Sequence, residues 1–320
     1  MLPLRALLLT ALLGAACTAL AQYPAKPLRM LVGFPPGGAN DIVARITAQK
    51  LSETLGQPVV VENRPGNAGV VAAEAVAKAA PDGYTLMLGS TGTNVIAPAL
   101  TSKLPYDPVN GLLPVALVGI APSAMVVNAS VPAQSVRELV ALAKSRPGKL
   151  TYASSGNGTT LHLGGELFKL MAGVDMIHIP YKGNAQALND VIGGQVDMIL
   201  SALPPALPLA KAGKVRILGI AMPERLRSLP DIPTVAEQGL PGYEMSTWYG
   251  IFAPAGTPPE AIEKLGAALR LGSADAKVRE QILAQGIEPL SNTPAEFRTF
   301  VNAELEKWAR VVKAASVKSD

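Results

Sequence analysis

The sequence has few of the residues that build metal sites and disulfide frameworks. Its 320 residues include one cysteine, Cys17, and two histidines, His162 and His178, and only 4% of residues are aromatic. One cysteine cannot form an intrachain disulfide, and two histidines cannot complete a zinc cage. Any metal site would need carboxylate ligands. We expect neither a metal nor another cofactor.

The sequence also contains no run of consecutive Lys and Arg residues. Lys and Arg total 28 against 24 Asp and Glu, and the resulting net charge of +4 is spread thinly along the chain. Proteins that follow a phosphate backbone concentrate Lys and Arg on one face or along one helix. The sequence therefore predicts no nucleic-acid partner.

One apolar segment, at residues 1–21, has the pattern of a secretory signal peptide. A positive residue, Arg5, precedes a short apolar stretch, and small residues stand at Ala19 and Ala21. The stretch is shorter than the roughly 20 apolar residues of a membrane-spanning helix. We expect export and cleavage after Ala21. Lipoprotein processing at Cys17 is the alternative.

Short apolar segments then alternate with longer segments of helical periodicity. This alternation predicts an α/β fold with mainly parallel sheets flanked by helices. A strand-like segment at 248–253 follows, and three helical segments begin at Pro258. The other predicted strands lie at 28–33, 59–62, 84–88, 150–153, 176–179, 198–200 and 217–221.

The order of these segments predicts two lobes joined by two crossing strands. We expect lobe 1 to comprise residues 22–122 plus 250–320, and lobe 2 to comprise residues 123–249. The crossings are predicted near 121–124 and 246–250. Such a two-strand hinge favours ligand binding by closure of a cleft.

The first candidate ligand loop, Gly33–Asp41, lies between a predicted strand and a helix. Loops at this end of an open α/β sheet form the ligand crevice, and glycines let N–H groups at a helix N-terminus approach an anion. A tight turn with an ordinary helix cap is the alternative. We expect Gly38→Val to weaken binding by blocking the amides and straining the turn. The candidate contacts are Phe34, Gly37, Gly38, Ala39, Asn40 and Asp41.

A second polar loop, at 153–162, follows a later strand. It lacks the dinucleotide-binding fingerprint, because Leu161 occupies the position of the third glycine. A solvated capping turn is the alternative, and His162 either reaches the cleft as a donor or packs in the helix. The candidate contacts are Ser154, Ser155, Gly158, Thr159, Thr160 and His162, with Ser90 and Thr91 from the loop after the third strand.

Lobe closure would bring two helix N-termini together, which favours a carboxylate, with phosphate and sugar ligands as alternatives. The sequence contains no Gly-x-Ser-x-Gly elbow and no His-Glu-x-x-His motif. No catalytic group assembles by spacing, so we expect a binding protein and not an enzyme.

Six motifs in the same order resemble the Bug family of periplasmic binding proteins, the receptors of tripartite tricarboxylate transporters. Together they span essentially the whole chain after the signal peptide. The motifs are Phe34–Gly38 with Asp41, Val61–Gly66, Ala80–Thr85, Tyr152–Gly158, Ile179–Gly183 and Phe252–Pro258.

The resemblance implies a two-lobed Venus-flytrap fold of the type II kind in the periplasm. It also implies a small carboxylate ligand, such as a dicarboxylate, an amino acid or an aromatic acid, held by the loops at 34–41 and 154–160. Asn40 stands where the family often has Ser or Thr. Ala202, a further candidate contact, lies in a cleft-facing stretch where the family often has larger polar residues. Both leave the ligand's identity open.

The implied partners are one large and one small membrane protein, and the receptor is expected to act as a monomer. Two alternatives remain from the residues alone. One is a sensor subunit that presents the ligand-bound form to a signalling protein. The other is an exported hydrolase or isomerase with Asp41 or His162 as the base.

Overall fold

The computed structural model describes residues 23–101, 103–181, 183–226 and 229–315. The predicted signal peptide, Cys17 and Lys182 lie outside the described residues. The strands are β1 (Leu28–Val32), β2 (Val59–Asn63), β3 (Thr85–Ser90), β4 (Leu112–Asn128), β5 (Thr151–Ser154), β6 (Ile177–Pro180), β7 (Met198–Ala202), β8 (Val215–Ile220), β9 (Ser246–Pro254) and β10 (Glu288–Pro289).

The α-helices are α1 (Ala39–Leu55), α2 (Val70–Ala77), α3 (Ala97–Leu100), α4 (Val136–Ser145), α5 (Thr160–Ala172), α6 (Asn184–Ile192), α7 (Leu203–Lys211), α8 (Pro259–Ala274), α9 (Ala276–Ala284) and α10 (Pro294–Ala315). A 3-10 turn at Asn67–Gly69 and a π-helical segment at Gly92–Ile96 precede α2 and α3, respectively.

Every predicted strand forms a strand, and the inner strands supply most of the side chains that the sheet buries. In β1, for example, Met30, Leu31 and Val32 are at most 1% exposed. The first helix ends at a glycine. Gly56 caps α1 with a φ of 70°, a left-handed conformation that favours glycine.

The fold is α/β and two-lobed as predicted, but its sheets are mixed and not mainly parallel. The strand order is β2-β1-β3-β9-β4-β7-β5-β6, and β8 and β10 also pair with β4. Pairs near the outer edges, such as β1 with β2 and β5 with β6, are parallel. The long central strands β4 and β9 are antiparallel to each other. We call the side of β4 that carries β1–β3 the first lobe, and the side that carries β5–β8 the second lobe.

The chain passes between the lobes along β4 and β9. Residues Leu112–Pro122 of β4 pair with β9, and Ser123–Asn128 pair with β7 and β8. Pro122 is opposite Ser246, the first residue of β9. Because the two crossing segments are adjacent, the polar loops at the ends of the other strands face a common space.

The terminal helix α10 buries an apolar stripe against both lobes. Phe297, Val301 and Trp308 are 0%, 5% and 1% exposed, which matches the spacing of an amphipathic helix. The helix packs against β4, the π-helical segment and α5. It therefore contacts the first lobe, as its sequence indicates, and also the second. Within the described part of the chain, no helix is long and apolar enough to cross a membrane.

Candidate functional site

The first-lobe loop is held in shape from behind by Asp41. This side chain is 5% exposed. Its Oδ2 accepts hydrogen bonds from the Gly37 N–H and from Arg45 Nε, each at 3.0 Å. Its Oδ1 accepts a 2.9 Å bond from Asn63 Nδ2, which also donates to the Phe34 carbonyl at 3.0 Å. One carboxylate thus connects the loop to α1 and β2.

These donors stabilise the ionised form of Asp41. The hydrogen bond from Arg45 is the largest cause, and it lowers the pKa of Asp41 to about 2 against the opposing effect of burial. A carboxylate that is so weakly basic is a poor general base at neutral pH. The geometry gives Asp41 a positioning role.

Gly37 is the position in this loop where the backbone conformation requires glycine. Its φ is +83°, a backbone conformation that residues with a side chain rarely adopt. Gly38 is extended, with φ −83° and ψ 169°. A Cβ on Gly38 would come no closer than 3.8 Å to another atom, the Pro35 carbonyl oxygen. The expectation that Gly38→Val strains the turn is therefore wrong.

The second-lobe loop is supported by the first turn of α5. Thr159 is the N-cap, and its Oγ1 accepts a bond from the His162 N–H. The Nδ1 atom of His162 accepts a 3.1 Å bond from the Gly158 N–H. His162 is 8% exposed, so its ring fixes the loop from inside the helix.

Beneath this loop, three rings stack. The His162 and His178 centroids are 4.0 Å apart, and the Tyr152 and His178 centroids are 4.8 Å apart. Ser154 is fully buried, and its Oγ lies 2.7 Å from His178 Nε2. Burial, with a smaller effect from His162, lowers the pKa of His178 to about 4. The stack is therefore uncharged at His178 near neutral pH.

A cavity of about 200 Å³ lies between the two loops. Its walls come from the β1–α1 loop, the end of β3, the crossing strands β4 and β9, the β5–α5 loop and the end of β7. Eight predicted contacts line it, namely Phe34, Asn40, Ser90, Ser155, Gly158, Thr159, Thr160 and Ala202.

Seven predicted contacts do not line this cavity: Gly37, Gly38, Ala39, Asp41, Thr91, Ser154 and His162. Thr91 is fully buried, and its Oγ1 accepts a 2.9 Å bond from the Trp248 N–H. It thereby connects the end of β3 to β9. Asp41, Ser154 and His162 support the loops from behind, as their hydrogen bonds show.

The cavity also has seven lining residues outside the list of candidate contacts: Ala68, Gly92, Ala121, Ser123, Leu161, Thr247 and Tyr249. Ala121 and Ser123 belong to β4, and Thr247 and Tyr249 to β9. The sequence could have identified these four residues from the predicted crossings at 121–124 and 246–250, because a two-strand hinge must border the cleft that it closes.

The two lobes meet at one side of the cavity. A Cβ built on Gly92 would lie 4.0 Å from Thr160 Oγ1, and one on Gly158 would lie 2.9 Å from Leu100 Cδ1. Gly92 and Leu100 belong to the first lobe, and Gly158 and Thr160 to the second. The cleft is thus narrow enough for one small molecule to contact both lobes.

Comparison with known proteins identifies relatives along nearly the whole chain. Residues 43–317 match the family model described as the tripartite tricarboxylate transporter family receptor. BugT of Bordetella pertussis is 39% identical over 297 residues, which cover 92% of this chain and 91% of BugT. These matches confirm the resemblance to the Bug family.

Solved structures show the same fold. R. palustris Rpa4515, determined with adipate, is 36% identical with a TM-score of 0.83, over 92% of this chain and 99% of that one. MatC from Rhodopseudomonas palustris, with bound malate, is 34% identical with a TM-score of 0.79, over 91% and 100% of the two chains. The chain therefore belongs to the tripartite tricarboxylate transporter receptor family, whose members are solute-binding receptors.

Proposed function

We propose that this protein captures a small carboxylate between its lobes and delivers it to a tripartite tricarboxylate-type transporter. The observation that carries the proposal is the cavity between the first turns of α1 and α5, which Asn40 and Thr160 both line. The N–H groups of a first helical turn have no partner within their helix, and they favour an anion. Adipate and malate in the two related structures are carboxylates of suitable size.

In this proposal, eleven of the fifteen predicted contacts fall into two groups. The eight that line the cavity contact the ligand, with Asn40 and Ser90 on the first lobe and Ser155, Thr159 and Thr160 on the second. Asp41, Ser154 and His162 position the loops by accepting hydrogen bonds from the N–H groups of Gly37, Gly156 and Gly158, respectively.

The wider setting follows from the family. We propose that residues 1–21 are removed during export to the periplasm and that the receptor acts as a monomer. Residues 22–122 plus 250–320 would form the first lobe, and residues 123–249 the second. The exchange of β4 partners between Pro122 and Ser123 supports these boundaries. The docking partners would be one large and one small membrane subunit.

A thermal-shift screen of the mature protein, unfolded and refolded to remove carried-over ligand, tests the proposal. The panel contains mono-, di- and tricarboxylates, amino acids and aromatic acids, with sugars and inorganic phosphate as controls. A ligand at 100 times its Kd adds about 2.7 kcal/mol to the free energy of unfolding. We expect stabilisation by carboxylates alone. A response to sugars or phosphate, or to no carboxylate, would contradict the proposal.

A further inference from the structure

His178 lies beneath the second-lobe loop and outside the cavity that the loop borders. It belongs to β6, the outer strand of the second lobe, and the parallel pairing of β6 with β5 places it beside Tyr152. Its ring is common to both stacked pairs. The ring planes of Tyr152 and His178 differ by 22°, and those of His162 and His178 differ by 10°. One side chain of β6 thus meets both elements, β5 and α5, between which the loop runs.

The first connection from His178 to the loop passes through Ser154. The Oγ atom of Ser154 lies 2.7 Å from His178 Nε2 and accepts a 3.1 Å hydrogen bond from the Gly156 N–H. Burial lowers the pKa of His178 to about 4, so the neutral ring leaves one nitrogen as an acceptor near pH 7. The other acceptor near the Ser154 hydroxyl, the Gly156 carbonyl, already accepts a 2.7 Å bond from Thr159 Oγ1. Donation from Ser154 to His178 Nε2 therefore satisfies both acceptors.

The second connection passes through His162. Its Nδ1 accepts a hydrogen bond from the Gly158 N–H at 3.1 Å, and that bond weakens if the imidazole turns out of line with the amide. The His178 ring lies nearly parallel to the His162 ring, with centroids 4.0 Å apart, and so restricts rotation on that face. Gly158 lines the cavity. Movement of the His162 ring would therefore displace part of the cavity wall.

The stack is fixed at its other end by α5. The Tyr152 hydroxyl donates a hydrogen bond to Glu166 Oε1, which also lies 3.0 Å from Lys169 Nζ. A Cβ on Gly165 would lie 2.1 Å from Tyr152 Cε2, so the helix backbone packs directly on the tyrosine ring. The ring that supports His178 from behind is therefore held by packing and by a charge-assisted hydrogen bond.

From these contacts we infer that His178 is a positioning residue for ligand capture. Through Ser154 it fixes the loop at Gly156. Through His162 it fixes the loop at Gly158. The inference rests on the proposed function, because the turn that His178 supports forms one wall of the cavity. A side chain outside the cleft thereby sets how tightly the cleft binds, without touching the ligand.

Three substitutions at His178 separate the hydrogen bond from the ring. His178→Gln keeps a polar group that can bond Ser154 Oγ but loses the ring. His178→Phe keeps a ring for the stack but has no acceptor, and His178→Leu loses both. Calorimetric titration of the refolded mature protein measures the Kd of each variant for the carboxylate that gives the largest thermal shift. Hydrogen exchange of residues 154–160 in the ligand-free protein measures the order of the loop itself.

We expect His178→Leu to raise the Kd by at least about tenfold and to speed up exchange at 154–160 by a similar factor. Tenfold corresponds to about 1.4 kcal/mol, which is within the range for loss of one buried hydrogen bond. The Kd values of His178→Gln and His178→Phe should lie between those of wild type and His178→Leu. Ile177→Thr, an exposed change on the opposite face of the same strand, is the control and should leave both measurements unchanged.

Wild-type affinity and wild-type exchange in folded His178→Leu would overturn the inference and leave carboxylate capture intact. Faster exchange spread equally over both lobes would also overturn it, because that result indicates general destabilisation. So would binding by His178→Gln and His178→Phe that is no tighter than binding by His178→Leu, since neither contact would then restore the loop.

If His178→Leu does not fold, wild-type Kd and exchange in both His178→Gln and His178→Phe would overturn the inference in the same way. Failure of wild type to bind any carboxylate would remove the proposed function and the inference with it. The two failures are therefore distinguishable.

Discussion

At the scale of single residues, contact with the cavity and support of its walls are separate tasks. Asn40 and Thr160 line the cavity, whereas Asp41 and His162 bond loop amides from behind. A loop that must present its N–H groups to a ligand cannot also use all of them internally. Buried side chains therefore supply the bonds that fix its shape.

Asp41→Asn tests this support. The substitution removes the charge that pairs with Arg45 and one of the two acceptor oxygens that Gly37, Arg45 and Asn63 share. We expect the free energy of unfolding at pH 7 to fall by about 1 to 2 kcal/mol. We also expect ligand affinity to fall by about tenfold or more, since the loop would lose its fixed shape. Urea unfolding and calorimetry measure the two effects.

The stability that Asp41 contributes should decrease as the pH falls. The pKa of native Asp41, about 2, is below its ordinary value, so its ionised form adds stability above about pH 4. That stability is lost as pH falls from about 4 toward 2. The difference between wild type and Asp41→Asn should shrink over this range. Glu53→Gln, an exposed change on the same helix, is the control. Equal stability of Asp41→Asn and wild type at pH 7 would contradict the supporting role of Asp41.

The chemistry of a side chain also decides whether a cavity-lining residue could be predicted from the sequence. Phe34, Asn40 and Ser155 belong to glycine-rich segments where a predicted strand gives way to a helix, so their place at the cavity could be predicted from sequence. Ala68 and Ala121 have no polar atom in their side chains. They line the cavity because the fold brings the 3-10 turn and the crossing strand β4 to it.

At the scale of elements, α10 is connected to the crossing strand β9 by a buried carboxylate. Glu304 Oε2 accepts hydrogen bonds from the indole N–H groups of Trp248 and Trp308, each at 3.1 Å. Lys307 Nζ lies 3.2 Å from Glu304 Oε1, and the Glu304 side chain is 12% exposed. Trp248 adjoins Thr247 and Tyr249, which line the cavity. The helix thus supports the hinge side of the cleft.

Glu304→Gln should weaken this connection. A carboxamide lacks the charge that strengthens both indole bonds and the Lys307 pair, so we expect the free energy of unfolding to fall by about 1 to 3 kcal/mol. Trp248 and Trp308 are the chain's two tryptophans, and we expect their emission spectrum to change. Glu306→Gln, exposed on the same helix, is the control. An unchanged spectrum and unchanged stability in Glu304→Gln would count against this role.

The elements themselves could be predicted better than their pairing. Alternation of apolar and helical segments identified the strands around β1 and β5, because those residues are buried in any sheet arrangement. Strand direction depends on partners far apart in sequence. The single 17-residue strand β4 pairs with β9 in one half and with β7 and β8 in the other. The crossing near this exchange could be predicted, but no local pattern encodes the antiparallel direction of the partner strands, so the mixed sheet was not predicted.

At the scale of the whole molecule, two lobes connected by β4 and β9 enclose the cavity. The lobes approach each other at Gly92 and Thr160 and at Leu100 and Gly158, and α10 packs against both. A ligand that contacts both lobes would favour the closed arrangement to the extent of its differential affinity for it. Ligand binding in this cleft should therefore stabilise the closed arrangement of the lobes.

A direct test is calorimetric titration of wild type and Gly92→Leu with the carboxylate that gives the largest thermal shift. A side chain at Gly92 would project toward Thr160, whose Oγ1 would lie 4.0 Å from the new Cβ atom. Gly193→Leu, at an exposed helix end with a φ of −73°, is the matched control. We predict binding by wild type and Gly193→Leu, and at least about tenfold weaker binding by folded Gly92→Leu. Equal affinity in all three proteins would place the ligand elsewhere and contradict the account.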